Sequence, residues 1–181
     1  MIPTLQYFST IPEFANQFTT IAQNAEATYA LQDTMDDDFA HKLFFGMIKG
    51  ARNVPKSAEI ITSDSLFMNY AEMFTGQALE SHQKNIQNGV SNLKVWNKNV
   101  KPMETYDDIR NEDFNDGTKI YLPHFALFAE KANLQIGVDA VNSLSDLSFE
   151  DGAADDDNFY IRGKMLIDFK IPNPLTLRAA L

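Results

Sequence analysis

The chain has 181 residues, 44 % of them apolar, and a net charge of −10. That length can bury a core without covalent staples, and the apolar share exceeds that of a disordered chain. The absence of Cys excludes disulfides, thiolate nucleophiles and Cys-ligated zinc or iron–sulfur centres. The acidic balance argues against nucleic-acid binding by bulk electrostatics.

The first residues, MIPTLQYFST, lack a basic n-region and an unbroken apolar stretch, so no secretory signal is expected. No run reaches the roughly 18 apolar residues of a membrane span. Of 25 acidic residues, 17 sit in three segments: Asp33 to Asp38, Glu104 to Asp116 and Asp139 to Asp157. Lys42, Lys49, Arg52 and Lys56 fall in one acid-free stretch, and Lys84, Lys94, Lys98 and Lys101 in another. Solvated helix faces account for both.

In chain order, Thr10, Pro12 and Glu13 compose a capping box. Phe14, Phe18, Ile21, Ala25 and Tyr29 follow at steps of three or four. The spacing predicts a helix over 12–32. Next, Asp36, Asp37 and Asp38 stand where a helix N-terminus attracts negative charge. The run from Phe39 to Ile48 is apolar nearly all round, so this second helix is central or sits in an interface. Val54-Pro55 ends it. A third helical stretch runs from Ser63 or Asp64 to about Val100, with a bend expected near Gly76 and a weak point at Gly89. Trp96 lies near its end.

The acidic run from Lys101 to Lys119 reads as a surface connection, with Asp116-Gly117 as a turn. Lys119 to Leu122 suits a strand, and Pro123 can open a short helix carrying Phe125, Phe128 and Ala132. Leu134, Ile136, Val138 and Ala140 alternate with polar residues as in a strand. So do Phe159, Ile161, Met165, Ile167, Phe169 and Ile171, against Arg162, Lys164, Asp168 and Lys170. Pro172 and Pro174 end that ladder, and LTLRAAL can continue as a short paired segment. The order predicts an α+β fold in one domain, 1–181: a helical N-terminal half (1–100) packed on an antiparallel β-sheet formed mainly by the C-terminal half (117–181).

No motif of chemistry stands out. His41, His82 and His124 lack a nucleophile elbow or other local context. Asp37 and His41 share a helix face but lack the second carboxylate–histidine pair of bundle metal sites. Glu150, Asp151, Asp155, Asp156 and Asp157 do not follow the EF-hand order. Trp96 among Lys94, Lys98 and Lys101 is a single aromatic, short of a base-stacking groove. No catalytic residue, cofactor or metal ligand is assigned, and no enzyme activity is expected.

The chain closes with DNFYIRGKMLIDFKIPNPLTLRAAL, residues 157–181. This stretch resembles the final strand of tailed-phage virion structural proteins, including capsid-type chains, which can end in an alternating strand, a proline and a short apolar tail. The resemblance implies a virion role, such as minor capsid, connector or tail component. It carries over no site residues. The expectation is a self-associating subunit of a larger assembly, located in a virion or the cytoplasm, with no membrane and no direct nucleic-acid partner. Phe44, Phe45, Ile171, Pro172, Pro174, Leu175 and Leu177 are its candidate interaction residues. Removal of residues 172–181 is then expected to impair assembly more than folding. The alternative is an acidic protein that occupies a basic site on a partner, as nucleic-acid mimics do. A pocket uniting His124, Tyr121 or His82 with carboxylates would point instead to an enzyme.

Overall fold

A computed structural model describes residues 2–51, 53–73, 93–138, 148–151, 159–162 and 167–181. Among them are five α-helices and a mixed six-stranded sheet, an α+β architecture. They divide into two units, Met1–Asn133 with Asn173–Leu181, and Leu134–Pro172.

The first unit opens with α1 (Ile2–Ser9), which buries Leu5 completely. Thr10 closes this helix instead of capping the next, because its hydroxyl donates to the Tyr7 carbonyl at 2.7 Å. The helix expected over 12–32 is corrected. Short turns, strand β1 (Phe18–Thr19) and the single-turn helix α2 (Tyr29–Gln32) take its place. The cause lies at the other end of the chain. Phe18 and Thr19 pair in parallel with Ala179 and Ala180 of the last strand, β10 (Arg178–Ala180). The Ile21 amide then donates to the Leu181 carbonyl at 2.7 Å, and Ile21 is buried. Of the spaced residues only Ile21 joins the core, and successive turns carry a spacing that periodicity alone cannot separate from a helix.

Helix α3 (Phe39–Gly50) forms within the apolar run and buries Ala40, Phe44 and Met47. Lys42 pairs with Asp38 one turn away, at 2.9 Å, on its exposed side. Strand β2 (Glu59–Thr62) leads into α4 (Asp64–Glu72), whose Leu66, Phe67 and Tyr70 join the same core. The bend near Gly76, and Gly89, lie outside the described residues.

Near Val100 the expected helix is again corrected. Strands β3 (Lys94–Val95) and β4 (Lys98–Pro102) make a hairpin, with Lys94 opposite Asn99 and Val95 opposite Lys98. Its two loop residues, Trp96 and Asn97, have φ of 45° and 63°. Two successive positive values give the type I′ turn whose twist suits a tight hairpin. The acidic connection is likewise helical in part, as α5 (Glu104–Asp113). Glu104 and Asp107 sit at its positive pole and Arg110 in its last turn. Tyr106 and Asp107 are half-buried and Arg110 is buried, so the inward side lacks an apolar stripe. The Asp116-Gly117 turn forms as read, with Gly117 at φ 86° and the Asp116 carboxylate accepting from the Thr118 and Lys119 amides at 2.8 Å.

Strand β5 (Ala126–Ala129) replaces the short helix expected after Pro123. All four of its residues are buried, and a strand covered on both faces shows no alternation. It sits inside the sheet, whose order is β1-β10-β5-β2-β4-β3. The β1/β10 and β2/β4 pairs are parallel and the rest antiparallel. An antiparallel sheet built mainly by the C-terminal half is therefore corrected: β1 to β4 all precede residue 103. On one face Ile60, Val100, Ala126, Phe128 and Ala180 pack with Phe44, Met47, Leu66 and Phe67. Leu127 alternates to the other face, directly across from Ala179.

In the second unit, β6 (Gln135–Val138) pairs antiparallel with β9 (Ile167–Lys170). Strand β7 (Ser148–Asp151) pairs in the same sense with β8 (Phe159–Arg162). Nine residues (139–147) separate the two ladders on the outgoing side and four (163–166) on the return. The strand expected over 159–171 is thus described as two ladders, with its middle, including Met165, outside the described residues. Lys170 is exposed and Phe169 half-buried, in keeping with alternation. Ile136, across from Phe169, is 71 % exposed.

The burial of the chain end corrects the expectation for residues 172–181. Leu177, Ala179 and Ala180 are core, so the tail is needed for folding itself. Truncation after Thr176 is expected to abolish cooperative urea unfolding, since it removes an interior strand. Leu177→Ala is expected to lower the unfolding free energy by about 2–5 kcal/mol, measured on the same urea curve.

Candidate functional site

Where β2 ends, the chain turns through Ser63 into α4, and the segment entering β5 crosses it. The Ser63 amide donates to the Phe125 carbonyl at 3.0 Å, and the Thr62 hydroxyl donates to the same oxygen at 2.9 Å. This crossing sets His124 beside the first turn of α4. The imidazole Nδ1 is 2.6 Å from the Ser65 hydroxyl, which lies 3.0 Å from the Ser63 hydroxyl. Its Nε2 lies 2.9 Å from the Gln32 carbonyl. A carbonyl only accepts, so Nε2 carries the proton and Nδ1 accepts from Ser65.

Carboxamides of the buried Gln32 and the half-buried Asn24 satisfy the backbone around this ring as a neighbouring strand would. Gln32 donates to the Ile120 carbonyl at 2.7 Å and accepts from its amide at 3.0 Å. Asn24 does the same for His124, at 2.8 Å and 2.9 Å. On the other side, Asp107 accepts from the Asp64 amide at 2.6 Å and pairs with Arg110. Arg110 also donates to the Leu122 carbonyl, and its guanidinium lies over the Tyr106 ring at 4.6 Å. Leu122 itself holds a φ of 49°, a left-handed backbone that a branched side chain rarely adopts.

Ser65 and His124 have the contact of a nucleophile and its base, but the surroundings oppose that chemistry. Burial pushes the His124 pKa down; the bond to Gln32 raises it, and the Arg110 charge lowers it further. Its orienting partner is a neutral carbonyl, so an imidazolium formed during catalysis would lack the stabilisation that a carboxylate supplies. His124 is also fully buried. Asp107, the nearby acid, is raised by burial against the lowering bonds from Asp64 and Arg110. Tyr106 is pushed up to about 12 by burial. The cluster is a structural clasp between α2, α4, α5 and the entry to β5. Sequence reading finds no local context for His124 and misses Ser65, Gln32, Asn24 and Arg110, which lie up to 100 positions apart.

The candidate interaction residues divide. Phe44 and Leu177 are fully buried in the first unit, and Ile171 is buried as well. Phe45 is half-buried and packs edge-on against Trp96 at 4.8 Å, with Trp96 65 % exposed on its hairpin turn. Pro172 and Leu175 are exposed and Pro174 half-buried. His41 stacks on Tyr70 at 6.1 Å. Among the described residues no three His, Asp or Glu side chains gather as metal ligands. Asp155, Asp156, Asp157 and His82 lie outside them. Among the described residues, no helix is long and apolar enough to cross a membrane.

Comparison with protein-family models, with curated proteins and with solved structures returned no match.

The clasp has a pH signature. A buried neutral His binds fewer protons than its unfolded counterpart, so its stabilisation is complete above the unfolded pKa, about 6.5, and is lost as pH falls toward the depressed folded value. Thermal unfolding is expected to show the melting temperature dropping from about pH 7 to about pH 5, with a smaller drop in His124→Gln. The raised Asp107 acts in the opposite sense, and the comparison between the two proteins isolates the histidine.

Proposed function

We propose that this protein is a non-enzymatic subunit of a larger assembly, and that the ribbon of β6 to β9 is completed by a neighbouring subunit. The observation that carries this reading is the pairing. Each ladder of the second unit has two strands, and among the described residues neither joins a third. A two-stranded ribbon is marginal in water on its own, and an added strand or an apolar cover stabilises it. Ile136, exposed on such a ribbon, is the kind of residue that a partner covers. The resemblance of residues 157–181 to virion proteins supports a place in a phage particle, as minor capsid, connector or tail component.

The root of the ribbon supports this division of labour. Asn133 donates to the Asn173 carbonyl at 2.8 Å and to the Thr176 hydroxyl at 3.1 Å, and accepts from the Asn173 amide at 2.9 Å. This clamp closes the first unit across the point where the chain leaves and returns. The acidic-mimic reading gains less support, because several carboxylates already serve their own chain. Glu59 binds Lys101 at 2.8 Å, and Asp107 and Asp116 are engaged as described above.

Ile136→Asp tests the reading. The circular dichroism spectrum is expected to stay close to wild type, since the residue is exposed and lies outside the first unit's core. The mass by light scattering is expected to fall from an oligomer to a monomer. A wild-type chain that stays monomeric at high concentration, both alone and with the products of its neighbouring genes, would refute it.

A further inference from the structure

A polar cleft of about 460 Å³ opens beside the C-terminal end of α3, lined by Asn16, Gln17, Asn53, Val54, Leu175 and Arg178. The Arg178 guanidinium fills the space that a side chain on Gly50 would need, since a Cβ there would fall 2.7 Å from its Cζ. Nη2 donates to the Gly50 carbonyl at 2.6 Å. Nε is buried and has no hydrogen-bond partner. Among the described residues no carboxylate forms an ion pair with this guanidinium, in a chain with 25 acidic and 15 basic residues. A guanidinium with no carboxylate partner keeps donors for a ligand, and Arg178 lines the cleft.

We infer that this cleft binds a carboxylate. The guanidinium fork matches the two oxygens of a carboxylate, and Arg178 has donors left over after the bond to Gly50. Asn16, Gln17 and Asn53 add amide donors at the rim, while Val54 and Leu175 can pack on an aliphatic stem. The volume suits a group the size of an amino acid or a short organic acid. Inorganic phosphate has no such stem, so it gains nothing from Val54 and Leu175. The carboxylate can come from a free organic acid or from an acidic side chain of a peptide. This site does not depend on the assembly reading.

The Arg178 Nε–H resonance of isotope-labelled protein reports ligand binding at its guanidinium. Succinate, a peptide of the sequence EDGAADDDN (residues 150–158) and inorganic phosphate are the three probes. The resonance is expected to move and saturate with succinate or with the peptide, and to respond more weakly to phosphate. A response to succinate identifies a free acid as a sufficient ligand, and a response to the peptide alone identifies an acidic segment. Arg178→Gln risks the fold, because Arg178 ties β10 to α3. Asn53→Asp, at an exposed position, keeps the fold and is expected to weaken binding by about tenfold or more through charge repulsion. An unmoved resonance with both carboxylates, undiminished binding in Asn53→Asp, or phosphate binding as tight as succinate would overturn the inference.

Discussion

The fold depends on a three-residue strand at the end of the chain. Arg178–Ala180 lies between β1 and β5, pairing in parallel with the first and antiparallel with the second. Without it, β1 has no neighbour and β5 loses one of two. The Leu181 amide donates to the Thr19 carbonyl at 2.9 Å, and the Leu181 carbonyl receives the Ile21 amide, so the terminus also sets the path of the turns after β1. These contacts join residues about 160 positions apart, a closure whose entropy is lost before any pairing repays it. Closure of the β1–β10 edge therefore waits on residues 178–181, and the small side chains of Ala179 and Ala180 let the strand sit in a packed interior.

The polar clasp answers a second constraint. The segment 120–125 passes from the surface into the interior outside the ladders of the sheet, and its buried backbone groups still need partners. Gln32 and Asn24 supply them with paired donor and acceptor bonds, while Arg110 takes the Leu122 carbonyl. His124 completes the set by linking Gln32 to Ser65. A chain of such bonds inside a low-dielectric interior is strong when complete and expensive when broken. The serine–histidine contact is one link of this chain.

How much of this was legible in the sequence follows from which residues carry it. The helix at Phe39–Gly50 announces itself because its buried residues repeat at its own period and its start is acidic. The turn at Asp116-Gly117 is equally local. By contrast, α5 packs through Tyr106, Asp107 and Arg110, so no apolar stripe marks it. Strand β5 is apolar on both faces and so has no period to read. The hairpin at Trp96-Asn97 was hidden inside a longer pattern, although Leu93 and Val95 alternate and Asn tolerates a positive φ. The clasp and the Arg178 cleft were invisible for a different reason: their members come together only through long-range pairing.

The insertion of the ribbon between β5 and β10 then has a consequence. These two strands are adjacent in the sheet, yet Glu130 to Leu177 intervenes between them in the chain. A connection of that length need not be ordered for the strands to meet, because each doubling of a loop costs only about 0.6 kcal/mol in closure. The Asn133–Asn173 clamp shortens the effective loop to the few residues on either side of it. The clamp lies within the first unit, so a segment inserted beyond it can change length and composition at little entropic cost to closure. That is the physical condition for a fold to keep a two-stranded element inserted between two strands of its sheet.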